Sequence, residues 1–151
     1  MAERLGLGIF PGVGWRAAEV RAVAHEAEDA GFDAIFATEV NNDVLTTVLL
    51  MGAATRQIKV GTWIATMYMR HSYACAKAAD LIADATDGRM ILGLGVSHQS
   101  VNAALGVEMP SPVAELRRYA TEVAGWLRGE GPTTHLPQQP APIAVPIYWR
   151  E

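Results

Sequence analysis

Residues 58–95, IKVGTWIATMYMRHSYACAKAADLIADATDGRMILGLG, read as strand, loop, helix, strand. Residues 58–65 are a strand run, rich in β-branched and aromatic side chains. Residues 72–85 are helical, with Ala74, Ala78, Leu81, Ile82 and Ala85 on one face at the 3.6-residue period. Asp87-Gly88 ends this helix, because Gly takes the left-handed cap conformation at no steric cost. Residues 90–94 are an almost unbroken apolar run, as expected of a strand buried on both faces. Two strands joined by a helix make a parallel, right-handed crossover unit.

The flanking sequence repeats the unit. Residues 5–10 (LGLGIF) are a first strand, ended by Pro11-Gly12. A helix over 16–30 turns Val20, Val23, Ala24 and Ala27 inward and is capped by Gly31. Residues 33–37 (DAIFA) are the second strand. A polar loop over 38–43 follows, with Asp43 as N-cap of a helix over 44–55. After Gly95, Val96-Ser97-His98-Gln99 lead into a short helical segment ending near Leu105 and Gly106. Ser111 as N-cap and Pro112 in the first turn open a further helix, striped by Val113, Leu116, Ala120, Val123 and Leu127. Residues 129–142, rich in Pro, Gly, Thr and Gln, form an extended loop, and residues 143–149 (IAVPIYW) begin a fifth strand. Such a βα series means a parallel sheet, either open and doubly wound or closed as a barrel. Four and a half units fall short of an eight-stranded barrel, which takes ~250 residues.

The bulk properties exclude several classes. With 151 residues and 50% hydrophobic composition, the chain can bury one sizeable core. Net charge is −4 and the 12 basic residues are dispersed, so no nucleic-acid footprint is present. No apolar run reaches the length of a membrane span, and the N-terminus lacks the pattern of a signal peptide. The lone Cys75 cannot form an intramolecular disulfide, which suits a reducing cytoplasm. It reads as a small buried apolar residue. The alternative, a nucleophile served by His71 four residues back, is a pairing common by chance.

Gly93-Leu94-Gly95 follows a strand. It is either a tight exit from the sheet or a loop that lets a ligand approach the backbone. It is no dinucleotide fingerprint, because the position three after Gly95 is His98; Gly6, Gly8 and Gly12 are also off the required spacing. In a parallel sheet the strand exits converge on one side, where sites form. Glu39, Thr66, Ser97 and His98 are therefore expected as neighbours. Arg70-His71 at the start of a helix opposes the macrodipole, which points to a nearby anion or to a solvated corner. No HExxH, paired Cys or carboxylate cluster suggests a metal, and there is no GxSxG elbow.

Several of these features together resemble the N-terminal half of the luciferase-like monooxygenase superfamily, closest to its deazaflavin (coenzyme F420) branch with methylenetetrahydromethanopterin reductase. They are Asn41-Asn42-Asp43 after strand two; A-x-T-x-x-I-K-x-G-T from Ala53 to Thr62; Arg70-His71; and D-G-R-x-x-L-G-L-G from Asp87 to Gly95. The likeness runs over residues 5–128. It implies the N-terminal half of a (β/α)8 barrel, residues 1–151 forming a single incomplete domain that stops as strand five begins. It implies F420 or FMN lying across the C-terminal ends of the strands. It also implies a non-prolyl cis peptide in a bulge on strand three, at Trp63–Ile64 or a neighbour. The cofactor contacts would fall on Trp63, Ile64, Ala65, Thr66, Gly95, Val96 and Ser97. Where deazaflavin enzymes often carry Asp-His at the strand-two exit, this chain has Glu39-Val40.

On that basis the expected activity is hydride transfer or monooxygenation of a small organic substrate. His98 is the first candidate for acid/base work, since an ordinary imidazole titrates near neutrality, and Glu39 the second. A half barrel leaves strand edges unpaired, so a homo-oligomer or a complementing C-terminal half is expected. The contrasting expectation is a non-catalytic half-barrel that acts through self-association.

Overall fold

The computed structural model describes residues 5–10, 14–130 and 140–149. Pro11-Gly12, residues 131–139 of the expected loop, and Arg150-Glu151 lie outside the described residues. Along the chain come β1 (Gly6–Ile9), α1 (Ala17–Asp29), β2 (Ala34–Ala37), α2 (Val44–Ala54), β3 (Lys59–Thr62) and β4 (Ala65–Thr66). A 3-10 turn at Met67–Met69 is followed by α3 (Ser72–Ala85), β5 (Met90–Gly95), α4 (Gln99–Ala104), α5 (Pro112–Leu127) and β6 (Ile147–Tyr148). None of the helices among the described residues is long and apolar enough to cross a membrane.

Every strand pairing is parallel: β1 with β2, β2 with β3, then β5 beside both β3 and β4, and β6 on the far side of β5. Spatial order thus follows chain order. Right-handed crossovers in one direction stack all helices on one face, which is barrel geometry; a doubly wound sheet would reverse direction partway. Register fixes the faces. Ile35, Val60 and Met90 pair in sequence and are essentially inaccessible against the helix layer, with Val20, Val48, Met51 and Ile82 opposite. On the other, concave face lie Gly8, Phe36, Gly61 and Ile91, and further along Tyr148.

The expected strand over 58–65 is in fact two. Val60 and Gly61 pair with Met90 and Ile91, whereas Ala65 and Thr66 pair with Leu94 and Gly95. Three residues on one strand therefore face two on the other, a one-residue bulge. Thr62 closes the gap: its Oγ1 donates to Gly93 O at 2.7 Å and accepts from Gly93 N at 2.8 Å. The Trp63–Ile64 peptide inside the bulge is cis.

Glycines in this region are dictated by close packing. A Cβ on Gly93 would sit 2.3 Å from Thr62 O, and one on Gly95 would sit 2.7 Å from the Ile64 side chain. The tight-exit reading of Gly93-Leu94-Gly95 thus has a steric cause.

Helix α3 spans the expected residues, but its buried face differs. Cys75, Ala76, Ala79, Ile82 and Ala83 are inward with Ser72, while Leu81 is 63% exposed and Ala74 and Ala85 face solvent. The helix ends in a Schellman arrangement, Gly88 N donating to Ala83 O at 2.8 Å and Asp87 N to Asp84 O at 3.2 Å. The left-handed position is taken first by Asp87 (φ 50°) and then by Gly88 (φ 76°), not by glycine alone. Asp43 caps α2 as expected, Oδ1 accepting from Thr46 N at 2.7 Å. Ser111 stands at the N-cap of α5 without a side-chain capping bond, and Val113 is exposed where Trp126 is buried. Only Ile147–Tyr148 of the expected fifth strand pairs with the sheet.

Arg89 of the D-G-R stretch fastens the end of the sheet opposite the strand exits. Its five N–H groups donate to Thr86 O, Thr55 Oγ1, Ile58 O, Gly52 O and Thr55 O, all between 2.9 and 3.1 Å. It thereby satisfies carbonyls left over where α2 ends and β3 begins. Glu28 does the converse: its carboxylate accepts from the backbone N–H groups of Arg56, Gln57 and Ile58. Desolvation opposes this charge, but those donors and Arg89 hold the Glu28 carboxyl below its ordinary range.

Candidate functional site

Parallel strands direct their exits to one side, and two adjoining clefts open there. The smaller, about 270 Å³, is lined by Phe10, Thr38, Glu39, Val40, Trp63, Ile64, Thr66, Ser97 and His98. The larger, about 660 Å³, lies between loop 39–43, the 3-10 turn and α4, and shares Glu39, Val40, Thr66 and Ser97 with the first. Another depression, about 790 Å³, sits beside Glu28 and Arg56, away from every strand exit.

The expected neighbours Glu39, Thr66, Ser97 and His98 do meet in the smaller cleft, with Trp63 and Ile64. Ala65, Gly95 and Val96 do not line it. Ala65 is fully buried, Gly95 backs onto Ile64, and the carbonyl of Val96 accepts from Asn102 Nδ2 at 2.6 Å, which ties α4 to the end of β5. Trp63 is 65% exposed and packs edge-on against Phe36, their centroids 6.1 Å apart. His98 occupies the N-cap position of α4 and is exposed; its carbonyl accepts from Asn102 N at 3.0 Å, and its imidazole makes no capping bond. Ser97, just before it, has φ 64°, a left-handed conformation that costs a serine energy and often marks a site. Asn41, across the mouth, has φ 61°.

Glu39 is engaged rather than available. Its Oε2 accepts from Thr66 N at 2.6 Å and from Arg70 Nη1 at 3.0 Å, while Oε1 pairs with Arg70 Nη2. Arg70 Nη2 also reaches Asp43 Oδ2 at 2.9 Å. The side chains of Arg70 and Glu39 are only 12% and 10% exposed. Burial works against the Arg70 charge, but Glu39 and Asp43 outweigh it and hold the guanidinium protonated beyond its usual range. Desolvation opposes the Asp43 anion too, yet Thr46 and Arg70 lower its carboxyl. The anion expected beside Arg70 is thus supplied by the protein's own carboxylates. Sequence separation hid this: Glu39 and Arg70 are 31 residues apart, and only the parallel crossovers bring them together.

His71 does not serve Cys75. It is the N-cap of α3, exposed, with Nδ1 accepting from Tyr73 N at 3.1 Å. Cys75 is buried, and that burial pushes its thiol pKa up, the opposite of an activated nucleophile. Its neighbour Tyr119 donates to Arg70 O at 3.0 Å. On the same stripe of α5, Glu115 accepts from Tyr68 at 2.6 Å and Glu122 from Ser72 at 2.8 Å. Burial and Glu115 push the Tyr68 hydroxyl up to about 12. Helix α5 thus clamps the segment that carries Arg70. The sequence signals for this clamp were three polar residues at helical spacing, 115, 119 and 122.

Residues 6–149 match the luciferase-like monooxygenase family. A protein of Mycobacterium tuberculosis provisionally named a coenzyme F420-dependent oxidoreductase is 38% identical over 110 residues, covering 72% of this chain and 32% of that protein. The coenzyme F420-dependent tetrahydromethanopterin reductase of Methanopyrus kandleri superimposes with TM-score 0.77 at 19% identity, over 95% of this chain and 46% of that one. The oxygenating constituent of 3,6-diketocamphane monooxygenase of Pseudomonas putida, in complex with FMN, gives 0.71 at 17% identity, over 84% and 41%. The matched region thus spans about a third to a half of these relatives. A one-directional parallel sheet, its exits gathered on one mouth, and a match over nearly all its residues place this chain in the luciferase-like monooxygenase family.

Proposed function

We propose that the chain forms part of an oxidoreductase using coenzyme F420 or FMN, with the cofactor ring seated in the smaller cleft. One observation carries this reading: Phe10, Trp63 and Ile64 give that cleft apolar walls, while Thr38, Ser97 and His98 give it a polar rim. Such a donor set fits a flat, amphipathic ring system. When bound, a deazaflavin supplies hydride transfer, and a flavin supplies that or oxygen activation. The anionic tail is a different matter. Among the described residues, the only Arg or Lys lining either cleft is Arg70, already committed to Glu39 and Asp43, so those residues fit the ring and not the tail.

The chain's own residues divide the work. Trp63 and Ile64 hold the plane of the ring and keep water from it. His98, at the rim and open to solvent, holds or passes a proton through its imidazole nitrogens. Glu39 acts as a positioning residue: it fixes the Thr66 backbone and the Arg70 fork, and hence the shared wall of both clefts. The substrate is a small organic molecule. The concave face, with Phe36, Trp63 and an exposed Tyr148, is to be covered by a second barrel half, either another copy or a separate C-terminal half.

Titration with F420 and with FMN tests the reading. Quenched cofactor fluorescence and a perturbed long-wavelength absorption band are expected, weakened in Trp63→Ala. In the assembled enzyme His98→Ala slows turnover by about 10²–10⁴-fold without altering the unfolding midpoint. Indifference of both cofactors to the protein, alone or with its partner half, overturns the reading and leaves a half-barrel that acts through association.

A further inference from the structure

We infer that the larger cleft binds an uncharged, largely apolar substrate and turns away anionic ones. The inference deepens the oxidoreductase reading, on which the word substrate rests. Four of the exposed large apolar side chains among the described residues, Val40, Met69, Val101 and Leu105, line this one concavity. Exposed apolar residues are ordinarily scattered, and their gathering in a cleft of about 660 Å³ is what small-molecule sites show. The cleft shares the Thr66 and Ser97 wall with the smaller one, so its occupant lies beside whatever fills that cleft.

Charge decides the class of occupant. The charged residues lining the larger cleft are Glu39, Asp43 and Arg70, two negative and one positive, so the wall carries one net negative charge. Arg70 turns its guanidinium into the pair with Glu39 and is 12% exposed, whereas Asp43, 52% exposed, shows its carboxylate to solvent. An entering carboxylate or phosphate meets repulsion and no uncommitted Arg or Lys. A neutral molecule meets the apolar wall and the Ser97 and Ser100 hydroxyls.

The test uses two probes of one shape, cyclohexanecarboxamide and cyclohexanecarboxylate, added at millimolar concentration to the chain and followed by methyl NMR. The carboxamide is expected to shift the methyls of Val40, Met69, Val101 and Leu105, and to bind about tenfold more tightly than the carboxylate. Val101→Lys, on the exposed face of α4, brings the wall to neutrality and should narrow that ratio to about threefold or less. Equal or tighter binding of the carboxylate, shifts confined to other methyls, or no carboxamide binding overturns the inference. The cofactor titration, run on the same samples with and without the partner half, keeps the two failures apart: probe binding with no cofactor binding in either overturns only the functional reading, and the reverse overturns only this one.

Discussion

Glu39→Gln separates a positioning carboxylate from a proton-transfer group. The substitution keeps the shape, removes one charge and turns one acceptor oxygen into a donor. Gln can leave its oxygen on Thr66 N and Arg70 Nη1, which lie 2.6 and 3.0 Å from Oε2. Its amide nitrogen then faces Arg70 Nη2, donor against donor. With both side chains about nine-tenths inaccessible, the cost approaches that of breaking a buried pair, ~3–5 kcal/mol. Asp43, still 2.9 Å from Nη2, offsets part of it, leaving an expected loss of about 2–4 kcal/mol. Urea unfolding of the wild type, Glu39→Gln, Arg70→Met and the double variant reads this as a cycle, with coupling of roughly 2 kcal/mol. A loss under about 0.5 kcal/mol, or additive single effects, refutes the positioning role of the Glu39–Arg70 pair and returns Glu39 to the candidates for proton transfer.

Arg89→Met keeps the stem of the side chain and leaves five acceptor positions without their donor. It should cost about 3 kcal/mol in urea unfolding, and Arg89→Lys should recover only part of that, since an ammonium cannot reproduce the planar fork. Glu28 and Asp43 have carboxyls lowered in the folded state from ordinary values of 4.5 and 3.8. The folded chain therefore binds fewer protons there, so their stabilisation is present above those values and is lost as pH falls through the folded ones. The unfolding midpoint should drop as pH falls below about 4.5, more shallowly in Glu28→Gln/Asp43→Asn, and an unchanged slope would sink the assignment.

The βα order, the span of α3, the Asp43 cap and the gathering of residues 39, 66, 97 and 98 were all legible in the sequence, because each rests on local period or on the one-sided exits of parallel strands. The buried face of α3 was not. Ala74, Ala76, Ala78, Ala79, Ala83 and Ala85 occur all round it, so hydropathy offers little contrast, and packing of the helix against α5 and β5 decides instead. The break between β3 and β4 is equally silent, since VGTWIAT alternates plausibly as one strand. Arg89 stood out only as part of a motif; its partners come from the end of α2, the start of β3 and the end of α3, and no local pattern predicts such a convergence.

The one-residue bulge acts as a half-period phase shift. Below it an even-numbered position, Val60, turns toward the helices; above it an odd-numbered one, Ala65, does so, and Thr66 is rotated to the mouth. Removing a single residue between 62 and 65 would leave two residues opposite Leu92 and Gly93, so a regular ladder would run through with Ala65 still opposite Leu94 and Thr66 still at the mouth; what would be lost is the outward bulge that carries Trp63 and Ile64 to the cleft. In this stretch the count of residues, as much as their type, decides what lines the opening.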